Sequence, residues 1–160
     1  MSNDTILVQL TDPLWTAQAV HLASALARNT YAQLIFLRLI GVRHLSYLGS
    51  ELGDTPISRQ EYDQLREYTA TAEDYGLEPV VYAMQATSPL AAVAEAAFHL
   101  DVKTIFAQVP ASRIPYWQQF QTWRLEQRLS PRALYTLTQP AGVIPATPQI
   151  VVKTPARVKP

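Results

Sequence analysis

The sequence predicts a three-layer α/β/α sandwich, in which helices cover both sides of a five-stranded parallel sheet. Two observations predict this fold. Short apolar runs alternate with longer segments of helical periodicity along most of the 160 residues, and capping or turn residues separate them. Strands that alternate with helices pair in parallel through right-handed crossovers, and a chain of this length suits one sizeable core.

The first strand, the first helix and the second strand are the clearest elements. Thr5–Leu10 (TILVQL) is an apolar run of strand length. Asp12 and Pro13 predict a helix start, because an N-cap aspartate accepts an unpaired N–H and proline has none to leave unpaired. Helical spacing continues to about Arg28, and Gln33–Ile40 (QLIFLRLI) predicts the second strand.

The second helix and the third strand carry equally specific boundary signals. Ser58 and Glu61 form the S-x-x-E pattern of a capping box, which predicts the helix start. Gly76 stands where a left-handed residue commonly ends a helix. Glu78–Gln85 (EPVVYAMQ) predicts the third strand, since proline is tolerated at the start of a strand.

The next three elements follow the same rhythm. Ser88 and Pro89 repeat the N-cap and N1 pattern and predict a third helix. Val102–Val109 predicts the fourth strand. Trp117–Leu129 predicts the fourth helix, which Pro131 ends because proline cannot continue it.

The C-terminal part offers two candidates for the fifth strand. We prefer Ala133–Thr138 (ALYTLT), because it follows the fourth strand at short spacing. The alternative is Gln149–Lys153 (QIVVK), with the earlier run as an insertion. Under our preference, residues 1–139 form the sandwich and 140–160 a proline-rich extension with an additional strand at 149–153. That strand would pair with the domain's own sheet edge or with a second subunit.

Composition and charge exclude several classes of protein. The chain is 48% hydrophobic and 16% charged, which is typical of a globular protein. It has no cysteine, which favours a cytoplasmic setting without disulfides. We identify no signal peptide and no run long enough for membrane insertion. The net charge is zero, which argues against a nucleic-acid partner.

The charges are nevertheless segregated along the chain. Residues 1–101 hold 12 of the 13 acidic side chains, and residues 102–160 hold Glu126 alone against eight basic ones. Solvated faces of one domain explain this distribution, and a partner-binding surface is the alternative.

Two segments carry a resemblance to a known family. They are ILVQLTDPLWTAQAVHLASALARNTYAQLIFLRLI and TSPLAAVAEAAFHLDVKTIFAQV, and together with the order of elements they resemble the universal stress protein (UspA) family. The resemblance implies a Rossmann-like sheet of order 3-2-1-4-5, of the adenine nucleotide alpha hydrolase-like type. It also implies a stress-response role and homodimers paired through the C-terminal edge strand. Such domains often regulate a protein partner such as a transporter or a kinase.

The resemblance further implies a cleft between strands 1 and 4, which in one branch of the family holds ATP. The acidic residue of that site would fall on Thr11 or Asp12, and a backbone contact from strand 2 would fall near Leu39. The phosphates would lie on a loop with the pattern G-x2-G-x9-G-[S/T] within residues 107–123. This chain resembles the branch that lacks the loop, because no glycine occurs there.

The stretch in that place, AQVPASRIPYWQQFQTW, is poorly suited to a phosphate cradle. Glycines bring backbone N–H groups close to phosphate oxygens, whereas Pro110 and Pro115 have no N–H to offer. Arg113 would be the remaining anion contact. We therefore expect no cofactor, and ATP or another adenine nucleotide is the alternative.

The remaining side chains favour association over catalysis. Trp117, Phe120 and Trp123 are expected to pack the fourth helix on the sheet, and a partner interface is the alternative. The three histidines, His21, His44 and His99, lack the spacing of metal ligands. The sequence also contains no recognisable nucleophile motif. The sequence predicts a non-catalytic, dimeric regulatory protein of the universal stress type. The alternative is a sensor of a nucleotide or small anion in the cleft.

Overall fold

Strands and helices alternate in the order that the sequence predicts. The computed structural model describes residues 4–41, 57–110, 112–137 and 150–151. The elements are β1 (Thr5–Leu10), α1 (Pro13–Thr30), β2 (Gln33–Gly41), α2 (Arg59–Asp74), β3 (Val80–Ala86), α3 (Pro89–His99), β4 (Thr104–Phe106), α4 (Trp117–Leu129), β5 (Ala133–Leu137) and β6 (Ile150–Val151). Within the described ranges no helix has the length and apolarity that a membrane crossing requires.

The sheet has the strand order β3-β2-β1-β4-β5-β6. β1 to β5 pair in parallel, which confirms the expected order 3-2-1-4-5. β1 lies between β2 and β4, with Ile6 opposite both Leu34 and Thr104. Strand order reverses at this point, so the carboxyl ends of β1 and β4 flank the crevice where open α/β sheets bind ligands.

β6 pairs antiparallel with the outer edge of β5. Thr136 lies opposite Val151, and Leu137 lies opposite Ile150. The fifth strand is therefore the run that begins at Ala133, and the alternative that placed it at 149–153 is wrong. Of the two partners considered for the C-terminal run, the domain's own edge is the one observed.

Helices cover both faces of the sheet, and the strands alternate between two cores. α1 packs with α2 on one face and α3 with α4 on the other. Phe36 is fully buried on the α1/α2 side, and its neighbour Leu37 is fully buried on the α3/α4 side. Burial on both faces explains why the strands read as continuous apolar runs. Each such side chain contributes roughly 1.5–3 kcal/mol when fully buried.

Two predicted boundary signals of α2 are confirmed. The Ser58 hydroxyl accepts from the N–H of Glu61 at 3.1 Å, and the Glu61 carboxylate accepts from the N–H of Ser58 at 3.2 Å. At the other end Gly76 has a φ of +78°. The N–H of Leu77 then reaches the carbonyl of Ala72 at 3.1 Å, which completes a Schellman motif.

Two other expectations need correction. β4 is shorter than the predicted Val102–Val109, because the N–H of Val102 bonds the carbonyl of Ala97 in the cap of α3. At its far end the N–H of Gln108 bonds a side chain instead of a strand carbonyl. Ser88 stands at the N-cap of α3, but its side chain makes no capping hydrogen bond.

Candidate functional site

A cavity of about 110 Å³ lies at the carboxyl ends of β1 and β2, beneath α2. Thr11 and Leu39, two residues predicted for a cleft between strands 1 and 4, both line this cavity, although no β4 residue is among its lining residues. Arg38, Glu61 and Tyr68 also line it. Its volume is below the range of roughly 300–1,000 Å³ that is typical of small-molecule pockets.

An ion pair links the two walls of this cavity. Arg38 Nη2 lies 3.2 Å from Glu61 Oε2. The same carboxylate oxygen accepts the N–H of Ser58 in the capping box. The pair therefore fixes the start of α2 over the end of β2, and it neutralises the Arg38 charge that an anionic ligand would otherwise meet.

The seam between β1 and β4 is bridged by polar side chains. Gln9 is buried in β1, and its Oε1 accepts the N–H of Gln108 at 3.1 Å. The side-chain carbonyl of Gln108 in turn accepts from the Thr11 hydroxyl at 2.7 Å. Two hydrogen bonds thus span the crevice at the point of strand-order reversal.

Asp12 is the N-cap of α1, as predicted. Its Oδ1 accepts from the N–H groups of Leu14 at 3.0 Å and Trp15 at 3.1 Å, and Pro13 occupies N1. Substituting such a cap typically costs about 1 kcal/mol. The side chain is exposed, but this oxygen is already engaged by the start of the helix.

A small hydrogen-bond network connects two of the residues that line the cavity, Thr11 and Tyr68, through Thr16. The Thr16 hydroxyl accepts the N–H of Thr11 at 3.0 Å and is hydrogen-bonded to Tyr68. Burial raises the pKa of the Tyr68 phenol above its ordinary value of 10.0, and the Thr16 hydrogen bond opposes that rise. The negative charges of Glu67 and Asp12 raise it further, so Tyr68 is a neutral wall of the cavity at physiological pH.

Arg113 stands apart from this cavity. It is exposed in the segment between β4 and α4 and is not among the residues that line the cavity. The two ends of this segment are linked, because Gln118 Nε2 in the first turn of α4 donates to the carbonyl of Val109 at 3.3 Å. The structure thus brings Thr11 and Leu39 together, with Asp12 beside them, and leaves Arg113 at the surface.

The expectation that three aromatic residues pack α4 onto the sheet is wrong. Trp117, Phe120 and Trp123 are exposed, whereas Leu125 and Leu129 are the buried residues of α4. The aliphatic pair lies one helical turn apart and supplies the inward stripe, so the aromatic rings occupy the outward faces.

The described histidines are surface residues, as expected. His21 Nδ1 lies 3.4 Å from the Tyr75 hydroxyl, and His99 Nε2 lies 3.7 Å from the Glu95 carboxylate. His44 lies outside the described residues. Among the side chains that the structure describes, no three histidine, aspartate or glutamate residues cluster in a way that could hold a metal ion.

Sequence reasoning missed the two glutamines that bridge the seam. Gln9 carried a usable signal, because a polar residue inside the apolar run TILVQL requires a hydrogen-bond partner when buried. Gln108 carried none, since its partners come from residues about a hundred positions away. The Arg38–Glu61 ion pair could not be predicted from the sequence either, although Glu61 itself was predicted as a capping residue.

Comparison with known proteins identifies the fold. No family model and no curated protein sequence matches the chain. Solved structures do match, among them a universal stress protein in complex with cAMP, with TM-score 0.63, 16% identity and coverage of 88% of this chain and 100% of that one. UspA from Lactobacillus plantarum matches with a TM-score of 0.60 and 16% identity, covering 86% of this chain and 99% of that one. A universal stress protein from Archaeoglobus fulgidus in complex with dAMP matches with a TM-score of 0.55 and 11% identity, covering 86% of this chain and 100% of that one.

Proposed function

The chain has the universal stress protein fold, and we propose that it is a non-catalytic regulatory protein of that type. In this proposal it acts through protein association and does not hold ATP on a glycine-rich loop. The observation that carries the proposal is the bridged seam, in which Thr11, Gln108 and Gln9 join β1 to the end of β4. In this proposal, a ligand in that crevice would compete with the hydrogen bond between Thr11 and Gln108.

The segment after β4 supports the same proposal. The Gln108 N–H, which could otherwise face a phosphate, is bonded to Gln9 at 3.1 Å. Pro110 and Pro115 contribute no N–H, and no glycine in residues 107–123 relieves the steric demand of a close phosphate approach. Arg113 alone would be a side-chain contact without a backbone cradle.

A non-catalytic role is supported by the titratable groups. The described histidines, His21 and His99, are exposed; His21 lies within hydrogen-bond distance of Tyr75, and His99 lies 3.7 Å from the Glu95 carboxylate. A histidine base for a nucleophile would need a serine or threonine hydroxyl within hydrogen-bond reach. We place the protein in the cytoplasm, with which a chain free of cysteine is consistent.

We further propose a homodimer through the C-terminal edge of the sheet. Among the described residues, β6 pairs with β5 at Thr136 and Leu137, and in this proposal the remaining length of that edge pairs with a second copy. A protein partner such as a transporter or a kinase would then bind a dimeric surface.

The alternative is a sensor of a nucleotide or small anion. The solved structures with cAMP and dAMP favour it, since both are adenine nucleotides bound by proteins of this fold. Here Thr11 and Leu39 would meet the base or ribose in the 110 Å³ cavity, with Asp12 beside them. Arg113 would have to move toward the cleft to contact a phosphate.

Nucleotide content separates the two proposals. The purified protein is denatured and its supernatant analysed by absorbance and mass spectrometry, and the native protein is titrated with ATP and with cAMP by calorimetry. We expect no stoichiometric nucleotide and no micromolar binding. Bound nucleotide would instead establish the sensor, and Arg113→Ala should then weaken its thermal stabilisation. Light scattering across a concentration series tests the dimer separately.

A further inference from the structure

α4 directs its largest side chains to solvent. Trp117, Phe120 and Trp123 are 42%, 45% and 55% exposed, while Leu125 and Leu129 are buried. Trp and Arg are the residue types most enriched at the energetic centres of protein interfaces. Three neighbouring exposed aromatic rings on one helix therefore form an apolar surface patch of the kind that often marks an interaction site.

The three rings are arranged as one continuous platform. The ring centroids of Trp117 and Phe120 lie 5.6 Å apart in a stacked arrangement, and those of Phe120 and Trp123 lie 6.0 Å apart. Mutual packing restricts the rotamers of all three side chains before any partner arrives. A preordered surface loses less conformational entropy on binding, which increases affinity.

Two arginines of the same helix form no ion pair within the part of the chain that the structure describes. Arg124 and Arg128 are four residues apart and exposed, and neither forms an ion pair with any residue that the structure describes. Arg38 and Arg132, in contrast, pair with Glu61 and Asp101. Like charges at this spacing repel each other on a helix, so a carboxylate from a partner would relieve an existing repulsion.

Two of the three aromatic rings and both arginines line one groove. A groove of about 240 Å³ runs between α4 and the first turn of α3. Its walls include Leu90, Ala91, Trp117, Phe120, Arg124 and Arg128. Residues 117 to 128 span about 17 Å along the helix axis, which is the length of about three turns of a second helix. The groove thus joins an apolar floor to two cationic side chains.

We propose that this groove is the docking site for an acidic amphipathic helix of a protein partner. Apolar side chains of the partner would pack on Trp117 and Phe120, and its carboxylates would pair with Arg124 and Arg128. This inference rests on the proposed role in protein association and specifies the class of partner. Arginine favours such pairing because its planar guanidinium binds a carboxylate in bidentate fashion.

A second copy of the chain fits the groove less well. The acidic helix of this protein is α2, which carries Glu61, Asp63, Glu67, Glu73 and Asp74. α2 packs with α1 on the face of the sheet opposite α3 and α4. A contact between α4 of one copy and α2 of the next would be heterologous, so it would generate a ring or an open chain instead of a two-fold symmetric dimer.

A displayed peptide library tests the proposal on the full-length protein. Helical peptides of about 16 residues, with acidic, basic, polar and apolar residues equally represented, are selected against the folded protein. We expect enriched peptides to be acidic, with apolar residues at three- and four-residue spacing. Phe120→Ala, and the pair Arg124→Glu with Arg128→Glu, should each weaken their binding about tenfold or more.

Matched controls make the result specific to this groove. Arg66→Glu and Tyr62→Ala make comparable changes on the exposed part of α2 and should alter peptide binding less than about twofold. Replacing the glutamates of a selected peptide by lysine should restore binding to the doubly charge-reversed protein. Circular dichroism melts confirm that each variant is folded.

Several results would overturn the proposal. One is a selection that enriches no peptide, or that enriches basic or uncharged peptides. Another is a selection of acidic peptides whose affinity is the same for the α4 variants as for the unmodified protein. Arginine-dependent binding of a labelled single-stranded oligonucleotide would assign the groove to nucleic acid. Self-association lost in Phe120→Ala would assign it to a second copy. Nucleotide content, which tests the proposed function, is measured independently, so the two can fail separately.

Discussion

The Thr11 hydroxyl donates a 2.7 Å hydrogen bond to the side-chain carbonyl of Gln108, across 97 residues of sequence. This contact joins the residue after β1 to the segment after β4, where a sheet of this topology would otherwise open into a crevice. Gln9 secures the same segment from inside β1. These two hydrogen bonds hold the walls of the crevice together in the folded protein. Removing the Thr11 hydroxyl tests how much they stabilise the fold.

Thr11→Val should destabilise the protein by about 1 kcal/mol, because the part-buried Gln108 carbonyl loses its donor while the side-chain volume is retained. Urea unfolding followed by circular dichroism measures the change. Thr71→Val is the matched control, since the Thr71 hydroxyl bonds an exposed helix carbonyl of Glu67. It should change stability by less than about 0.5 kcal/mol. Equal effects of the two substitutions would mean that the seam is not a stabilising contact.

Gly76→Ala should destabilise the protein by about 1 to 2 kcal/mol through the backbone alone. Gly76 has a φ of +78°, and an added Cβ would meet nothing within 4 Å. Gly41→Ala is the comparison, because its surroundings are equally open but its φ lies outside the left-handed region. That substitution should be neutral or stabilise by about 0.5 kcal/mol. Thermal and urea unfolding of both variants measure the difference, and matching losses would contradict the explanation.

Leu125→Ala should destabilise by about 2 to 5 kcal/mol, because it leaves a cavity in the α3/α4 core. Leu125 is 2% exposed. Trp123→Ala on the same helix should change stability by no more than about 1 kcal/mol despite the larger deletion, since its side chain faces solvent. Urea denaturation of the two variants compares them directly. A greater loss from Trp123→Ala would show that the aromatic platform supports the fold.

Tyr68 should make the protein sensitive to alkaline pH. Burial raises the pKa of its phenol above 10.0, so the folded state holds the proton more tightly than the unfolded state. The resulting stabilisation is complete below pH about 10 and is lost as pH rises through the raised folded pKa. Tyr68→Phe should reduce the fall in urea midpoint above pH about 10, whereas Tyr62→Phe at an exposed position should not. An unchanged slope in Tyr68→Phe would refute this assignment.

Local signals predicted most of the fold because they act between near neighbours. The aspartate cap at Asp12, the capping box at Ser58 and Glu61, and the left-handed Gly76 each involve residues within a single turn. Their positions were therefore readable without the structure. The end of β4 was misplaced because Gln108 gives its N–H to a side chain from another strand.

The candidate site was less predictable because its contacts cross the sheet. Resemblance placed Thr11 and Leu39 at one cleft, and both line one cavity. It gave no means of predicting the Gln108 bridge or the Arg38–Glu61 pair, which depend on strand register. The outward aromatic rings of α4 were misjudged for a different reason. Hydrophobicity predicts burial on average, but the buried stripe of this helix is aliphatic and narrow.

The short antiparallel strand β6 covers part of a sheet edge on which further copies of the chain could otherwise pair. An uncovered edge strand is a template for runaway intermolecular sheet growth, and antiparallel pairing at Thr136 and Leu137 shields the apolar end of β5 from it. A chain truncated after residue 137 would retain both cores and all four described helices while losing this shield. We expect such a chain to fold and then precipitate, which would identify the C-terminal strand as a solubility element of this protein.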